Sequence, residues 1–278
     1  MHAPSRLPLF LLLAAALLPV RAQPIEEVPF ITSPDNVTLE MLRVAGVGPT
    51  DHVIDLGSGD GRIVILAARR FGASGLGVEI DPNLVRQSQR HARDAGVDGR
   101  VTFLEQDLFK TDLAPATVIT MYLLPEVNLA LRPSVLALKP GTRIVSHDWD
   151  MGDWKPDQTT VLPVPDKKVG LEKSSKVHLW VVPARVDGLW CGNGALRGAS
   201  LQVRQRYQQF DARLVHGGAA RDLDGRIQGT TVRGSPQGDA ALELQAAGDG
   251  LRVIAGSGAF APLQGQAFSR ATGAGCPA

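Results

Sequence analysis

The amino-acid sequence predicts an α/β protein: a mostly parallel, doubly wound sheet of seven strands followed by a small all-β domain. Three observations carry that expectation. Between residues 53 and 146, short apolar runs of β type alternate with stretches of helical periodicity, the pattern of a parallel sheet covered on both faces. Two further β-type runs, at 161–164 and 177–182, follow without a clear helix between them and read as a closing antiparallel hairpin. From about residue 185 the composition changes: lysine is absent after Lys176, glycine and glutamine rise, and helical stripes give way to alternation such as Leu201, Val203 and Gln205.

The chain has 278 residues, enough for one domain of ordinary size plus a smaller one. Its 29 basic and 28 acidic residues leave a net charge of +1, so no global field favours nucleic acid or an anionic membrane. Residues 1–22 read as a signal peptide. His2 and Arg6 give a weakly positive start, residues 7–20 form an apolar core broken by Pro8 and Pro19, and Val20-Arg21-Ala22 suits cleavage after Ala22. As a helix that core spans about 21 Å, short of the ~30 Å hydrocarbon layer. Export to the periplasm or beyond is the expectation. An uncleaved membrane anchor or a mitochondrial presequence is the alternative.

Residues 23–184 carry the α/β pattern. A proline-punctuated stretch over 24–34 leads into a short helix expected to be capped near Ser33 or Asp35, with Val37, Met41, Val44 and Ala45 on one face. The first strand is 53–56, and 63–68 lies in the next helix. The second strand, 76–80, is followed by Asp81-Pro82, an acid at the N-cap and proline at the first helical position. Leu84, Val85, Ser88, Ala92 and Ala95 then recur at helical spacing until Gly96. Strands at 101–104 and 116–122 follow. Pro125 opens another helix, and Lys139-Pro140-Gly141 turns the chain into a fifth strand at 142–146.

Residues 185–278 read as a sandwich or barrel, with 242–244 and 251–255 as further short strands. The two cysteines, Cys191 and Cys276, either pair in an oxidising compartment or remain thiols. Pairing would be worth about 4 kcal/mol in the chain-entropy model. Neither has the partners of a metal finger, and no metal site is expected.

The chemistry is concentrated in Asp55-Leu56-Gly57-Ser58-Gly59-Asp60-Gly61, directly after the apolar Val53-Ile54. Glycines are needed where a strand turns sharply into a helix and a ligand lies against bare backbone. The acid-x-Gly-x-Gly-x-Gly form, ending at Gly61, is the one used to cradle S-adenosylmethionine. It is not the dinucleotide fingerprint, which would need glycine where Arg62 stands. Glu79 ends the second strand, where an acid accepts hydrogen bonds from ribose hydroxyls. Asp55 and Glu79 would therefore grip opposite ends of a nucleoside, Asp55 near its amino-acid part.

With the strands placed, the first 184 residues resemble one group of class I methyltransferases. The group includes the mitochondrial lysine methyltransferases of the adenine nucleotide translocase and of the ATP synthase c subunit, with many bacterial relatives. The resemblance rests on residues 28–32, the run from Asp55 to Val64, the run from Gly77 to Pro82, and Asp107-Leu108-Phe109. It continues through Tyr122-Leu123-Leu124-Pro125, the run from Leu138 to Gly141, and Ser146-His147-Asp148. It implies a seven-stranded class I methyltransferase (Rossmann-like) sheet, here followed by the small all-β domain read from composition, with S-adenosyl-L-methionine as cofactor and a protein lysine as acceptor. By it, Phe30 and Thr32 lie on a lid over the cofactor, and Gly57, Ser58 and Gly59 lie on the methionine moiety. Asp107 meets the adenine amine and Leu108 packs on the ring; the other reading of Asp107 is a helix N-cap. The chain departs from those enzymes in its β domain, and an exported address is awkward for an enzyme whose cofactor is made in the cytoplasm.

Methyl transfer is an in-line displacement, so the enzyme must align the nucleophile and exclude water. A lysine must also lose its proton, and lowering a pKa from 10.4 to 7 corresponds to about 4.6 kcal/mol. Burial in an aromatic channel supplies part of that. Tyr122, His147, Asp148, Trp149 and Trp154 stand near the ends of the fourth and fifth strands, where such a channel would form. His147 is a candidate proton acceptor oriented by Asp148, or else a structural donor. The tryptophans offer cation–π faces to a lysine head, or else close the sheet edge. No Asn-Pro-Pro-Tyr follows the fourth strand, which disfavours methylation of DNA bases or glutamine. Two other readings stay open: methyl or aminopropyl transfer to a small metabolite, and a non-catalytic nucleotide-binding scaffold presenting a β module to the envelope.

Overall fold

The computed structural model describes residues 31–168, 172–235 and 240–277; residues 1–22, expected as a signal peptide, and Phe30 lie outside the described residues. The chain runs α1 (Asp35–Val44), β1 (His52–Leu56), α2 (Arg62–Phe71), β2 (Ser74–Glu79), α3 (Pro82–Asp94), β3 (Val101–Glu105), β4 (Val118–Met121), α4 (Pro125–Leu136), β5 (Arg143–His147), β6 (Gln158–Pro163) and β7 (Ser174–Val181). These seven strands form one sheet in the order β3-β2-β1-β4-β5-β7-β6. The first five are parallel, and β7 runs antiparallel to both β5 and β6. The order reverses between β1 and β4, which opens a crevice beyond their carboxyl ends.

Apolar side chains on both faces explain the central strands: every residue of β4 is buried, and all but the first of β1. One face meets α1, α2 and α3 through Met41, Leu42, Val64, Ala67, Val85 and Ala92 against Val53, Val118 and Val145. The other buries Ile54, Leu56, Ile119 and Ile144 against Leu131, Val135, Trp154 and Trp180. Asp81 caps α3 through the Asn83 amide, with Pro82 in its first turn. The expected cap of α1 is not made: Pro34 occupies that position without a side-chain cap, and Asp35 already belongs to the first turn. The Ser33 hydroxyl is turned elsewhere, into the site described below.

The remaining strands are β8 (Gly188–Gly192), β9 (Ser200–Arg206), β10 (Gln209–His216), β11 (Ala219–Gln228), β12 (Thr231–Ser235), β13 (Leu242–Ala247), β14 (Gly250–Gly256) and β15 (Ala267–Arg270). They close into an antiparallel barrel in the order β10-β11-β12-β13-β14-β15-β8-β9. Strict alternation puts Phe210, Ala212 and Leu214 of β10 inside and their neighbours outside. Trp190, Leu201, Ile227, Leu244 and Phe268 join them to fill the interior. A Cys191–Cys276 disulfide ties the chain's end to β8.

The segment after β5 attaches the barrel to the sheet. Trp154 is fully buried and stacks on Tyr207, with ring centroids 6.1 Å apart. The Tyr207 hydroxyl and Arg206 both donate to Asp153, and Gln208 donates to the Lys155 carbonyl at 2.6 Å. Trp154 is therefore committed to this junction and offers no face to a ligand. Among the described residues, no helix is long and apolar enough to cross a membrane.

Candidate active site at the strand ends

The glycine loop begins where β1 ends. Gly57 has φ 71°, a left-handed backbone that favours glycine, and a Cβ there would lie 2.8 Å from Leu123 Cδ2. The Gly57 and Ser58 amides both donate to the Val78 carbonyl at 2.9 Å, which pins the loop to β2. Gly59 donates its amide to Glu79 Oε2 at 2.9 Å, while Glu79 Oε1 accepts from the Ile80 and Asp81 amides. Glu79 thus braces the loop from the neighbouring strand tip. Asp55, only 2% exposed, accepts a 2.7 Å hydrogen bond from the Thr120 hydroxyl of β4. Burial pushes its pKa up to about 7 against that hydrogen bond, with the charges of Glu79 and Asp60 adding to the rise.

Two loop residues also have packing neighbours of their own. Gly61 has φ 80°, but a Cβ there would strike Phe103 at 2.6 Å and Ser88 at 2.9 Å, so its space is filled by β3 and α3 rather than kept for a ligand. The Ser58 hydroxyl is buried and faces Gly77, where an added Cβ would come within 2.7 Å of it.

A second set of contacts runs from the loop to the tips of β4 and β5. Arg62 donates through Nη2 to Asp60 at 2.7 Å and through Nη1 to the Ser33 carbonyl at 2.9 Å. Burial alone would raise the Asp60 pKa, but the hydrogen bonds and charge of Arg62 outweigh it and hold it low. The Ser33 hydroxyl lies 2.8 Å from His147 Nδ1, and Ser175 Oγ lies 2.9 Å from Nε2. Tyr122 stacks on this imidazole with centroids 3.9 Å apart. His147 is 1% exposed, and its pKa falls to about 4 because burial and the nearby Lys167 charge outweigh the Asp148 carboxylate. A neutral ring with a hydroxyl at each nitrogen is not an open proton acceptor; it is the support beneath Tyr122.

Asp148 does not hydrogen-bond to that ring; it stands 3.4 Å from Nε2. Its backbone is left-handed at φ 62°, its Oδ1 accepts the Lys176 amide at 2.9 Å, and its Oδ2 meets Lys167 Nζ at 2.8 Å. Burial raises the Tyr122 pKa, and the Asp148 charge adds to it. Asp107 caps the turn Leu108–Lys110 by accepting the Phe109 amide at 3.0 Å, and its other oxygen lies 3.7 Å from Lys110. Leu108 leans on the apolar core. Thr32 is half-buried beside Ser33, and Trp149 is 43% exposed. Thr120, Lys167 and Ser175 carry no sequence pattern that singles them out; Ser33 stands out only as a capping residue, and Arg62 and Leu123 only as parts of extended motifs. Among the described residues, no cluster of His, Cys, Asp or Glu is arranged to hold a metal.

A doubly wound sheet, a crevice at the β1/β4 reversal and a glycine loop braced by an acid on β2 define a class I methyltransferase. Residues 55–158 match the model of the ANTKMT methyltransferase domain. A protein-lysine N-methyltransferase of Saccharolobus islandicus is 38% identical over 160 residues, which cover 57% of this chain and 96% of that protein. The adenine nucleotide translocase lysine N-methyltransferase of Mus musculus is 35% identical over 123 residues, covering 44% of this chain and 52% of that enzyme. A crystal structure of an RNA methyltransferase from Salinibacter ruber with S-adenosyl-L-homocysteine shares 48% identity at a TM-score of 0.50, covering 56% of this chain and 96% of that one. The chain belongs to the ANTKMT methyltransferase family, and its methyl donor is S-adenosyl-L-methionine.

Proposed function

We propose that this chain is a protein-lysine N-methyltransferase. The observation that carries the reading is the adjacency of two unlike sites: the Asp55–Glu79 cradle on β1 and β2, and an aromatic, carboxylate-bearing tip at Tyr122 and Asp148 on β4 and β5. The buried carboxyl of Asp55, which has no cationic partner and only the Thr120 hydroxyl, and the left-handed glycine backbone at Gly57 and Gly59 fit the cationic amino-acid end of the donor. Asp55 would face the donor's ammonium, Glu79 the ribose, and Asp107 the adenine amine beside Leu108, with Thr32 closing above. The donor supplies a methyl group on a sulfonium. The chain's own work is to bury the acceptor amine beside Tyr122, keep water out and favour loss of the ammonium proton.

The name of the Saccharolobus relative supports lysine as the acceptor, and the Cys191–Cys276 disulfide supports an oxidising address. On that reading residues 1–22 are a signal peptide, 23–184 the methyltransferase domain and 185–278 the β domain, with an envelope protein as acceptor; an uncleaved segment would instead anchor the enzyme. The test is transfer from methyl-labelled donor into envelope proteins, RNA and small amines offered in parallel. Labelled N-methyl-lysine after hydrolysis is expected. Label in RNA alone, or in metabolites alone, overturns the reading.

A further inference from the structure

The pair formed by Asp148 and Lys167 is costly where it stands. Their side chains are 14% and 13% exposed, and taking two charges out of water is repaid only by good geometry and further hydrogen bonds. Those are present. The Lys167 ammonium lies 2.8 Å from Asp148 Oδ2 and donates to the Ser174 carbonyl at 2.6 Å. Asp148 is aimed from its far side: the Lys176 amide binds Oδ1, and its own amide donates to the Lys176 carbonyl at 2.7 Å. It also holds a left-handed backbone, uncommon for a residue other than glycine though tolerated by aspartate. Other lysines behave ordinarily; the Lys110 side chain is 78% exposed.

The position matters as much as the pair. Asp148 directly follows His147, the ring on which Tyr122 is stacked, so this ammonium sits at the β4–β5 tip where an acceptor would enter. We propose that Asp148 and the Ser174 carbonyl form the ammonium-binding site of the acceptor channel, and that Lys167 occupies it in the resting chain in place of the acceptor lysine. The inference rests on the lysine reading above and adds the site and its occupant. An incoming lysine carries the same head on the same four-carbon stem, so it docks as the ammonium on the same two acceptors before it is buried and loses its proton, and the exchange leaves Asp148 paired throughout. Lys167 then acts as a competitor that a substrate must displace.

The test is calorimetric titration of Nα-acetyl-L-lysine methylamide into the intact protein without donor. Lys167→Met removes the charge at similar length and is expected to tighten probe binding about tenfold or more. Adding Asp148→Asn to that variant is expected to abolish the gain, while Lys167→Arg keeps the wild-type weakness. Equal binding by wild type and Lys167→Met, or a gain that survives Asp148→Asn, overturns the proposal and leaves the pair as a tie between hairpin and sheet. Should Lys167→Met not fold, acetylation of Lys167 in the wild type gives the same answer: its rate should rise as probe displaces it, and an unchanged rate overturns the proposal. Lysine transfer is assayed separately, so a wild type that methylates lysine but shows none of these effects fails here and not in its activity.

Discussion

The sheet and the barrel bury opposite kinds of side chain. Among the described residues, every buried polar or charged one except Gln208 precedes residue 184. The strand tips hold Asp55, Asp60, His147 and Ser175 out of water, each dependent on a specific partner. The barrel keeps Trp190, Phe210, Ile227 and Phe268 inside and its ion pairs on the rim. Arg213–Asp222, for example, has side chains 60% and 76% exposed and is worth little. Buried polarity without evident structural need marks the working half, and its absence marks the supporting half.

The largest expected effect sharpens that contrast. Asp55→Ala should weaken donor binding by about 3 kcal/mol, more than a hundredfold, since it removes a buried charge partner. Titration calorimetry measures it, with Arg233→Ala on the barrel surface expected to change nothing; equal affinities would break the comparison. Next comes the disulfide: Cys276→Ser should lower stability by about 2–5 kcal/mol in thermal unfolding while donor affinity stays fixed. A lost affinity there would show that the barrel belongs to the site.

The pH effects are smaller and come from the sheet half alone. With the free Asp55 carboxyl near pH 7, donor affinity should fall about tenfold per unit below that pH, and Asp55→Asn should flatten the profile. For stability the two buried groups oppose each other. Asp55 keeps its proton in the fold from its ordinary 3.8 up to about 7, so its contribution declines as pH rises across that window. His147 refuses a proton from its ordinary 6.5 down to about 4, so its contribution is lost as pH falls. Between pH 4 and 6.5 the two slopes oppose, with the buried His178, also held below its ordinary value by burial, on the side of His147; His147→Gln should shift the balance toward a melting temperature that drops with rising pH. Ser33→Ala is the smallest: losing one buried hydrogen bond costs about 1 kcal/mol, expected as a roughly fivefold lower kcat with donor Kd unchanged.

Much of the architecture was legible because its signals are local. The alternation of β1 through β5 with helices, the Asp81-Pro82 start of α3 and the two-residue alternation of β10 each lie within a few positions of one another. The α1 cap was misplaced because Ser33, a good capping residue by type, has a better partner in His147, 114 positions away. Trp154 read equally well as a channel wall or a sheet edge; Tyr207 of the barrel decides it, and no local pattern links the two. Gly61 fits the loop motif by spacing, yet Phe103 and Ser88 are the reason for it.

By itself the sequence determined the strand-turn-helix with its glycines, the acids at the ends of β1 and β2, the order of elements and the presence of two cysteines. Each of these follows from backbone sterics or periodicity over a short stretch of chain. Only the tertiary structure decided that the cysteines meet, that the β domain closes into a barrel, that Thr120 holds Asp55, and that Lys167 lies on Asp148. Those outcomes depend on register between strands far apart in sequence. A side chain's partner there is set by which backbone lies next to its own, and a linear pattern carries no record of that.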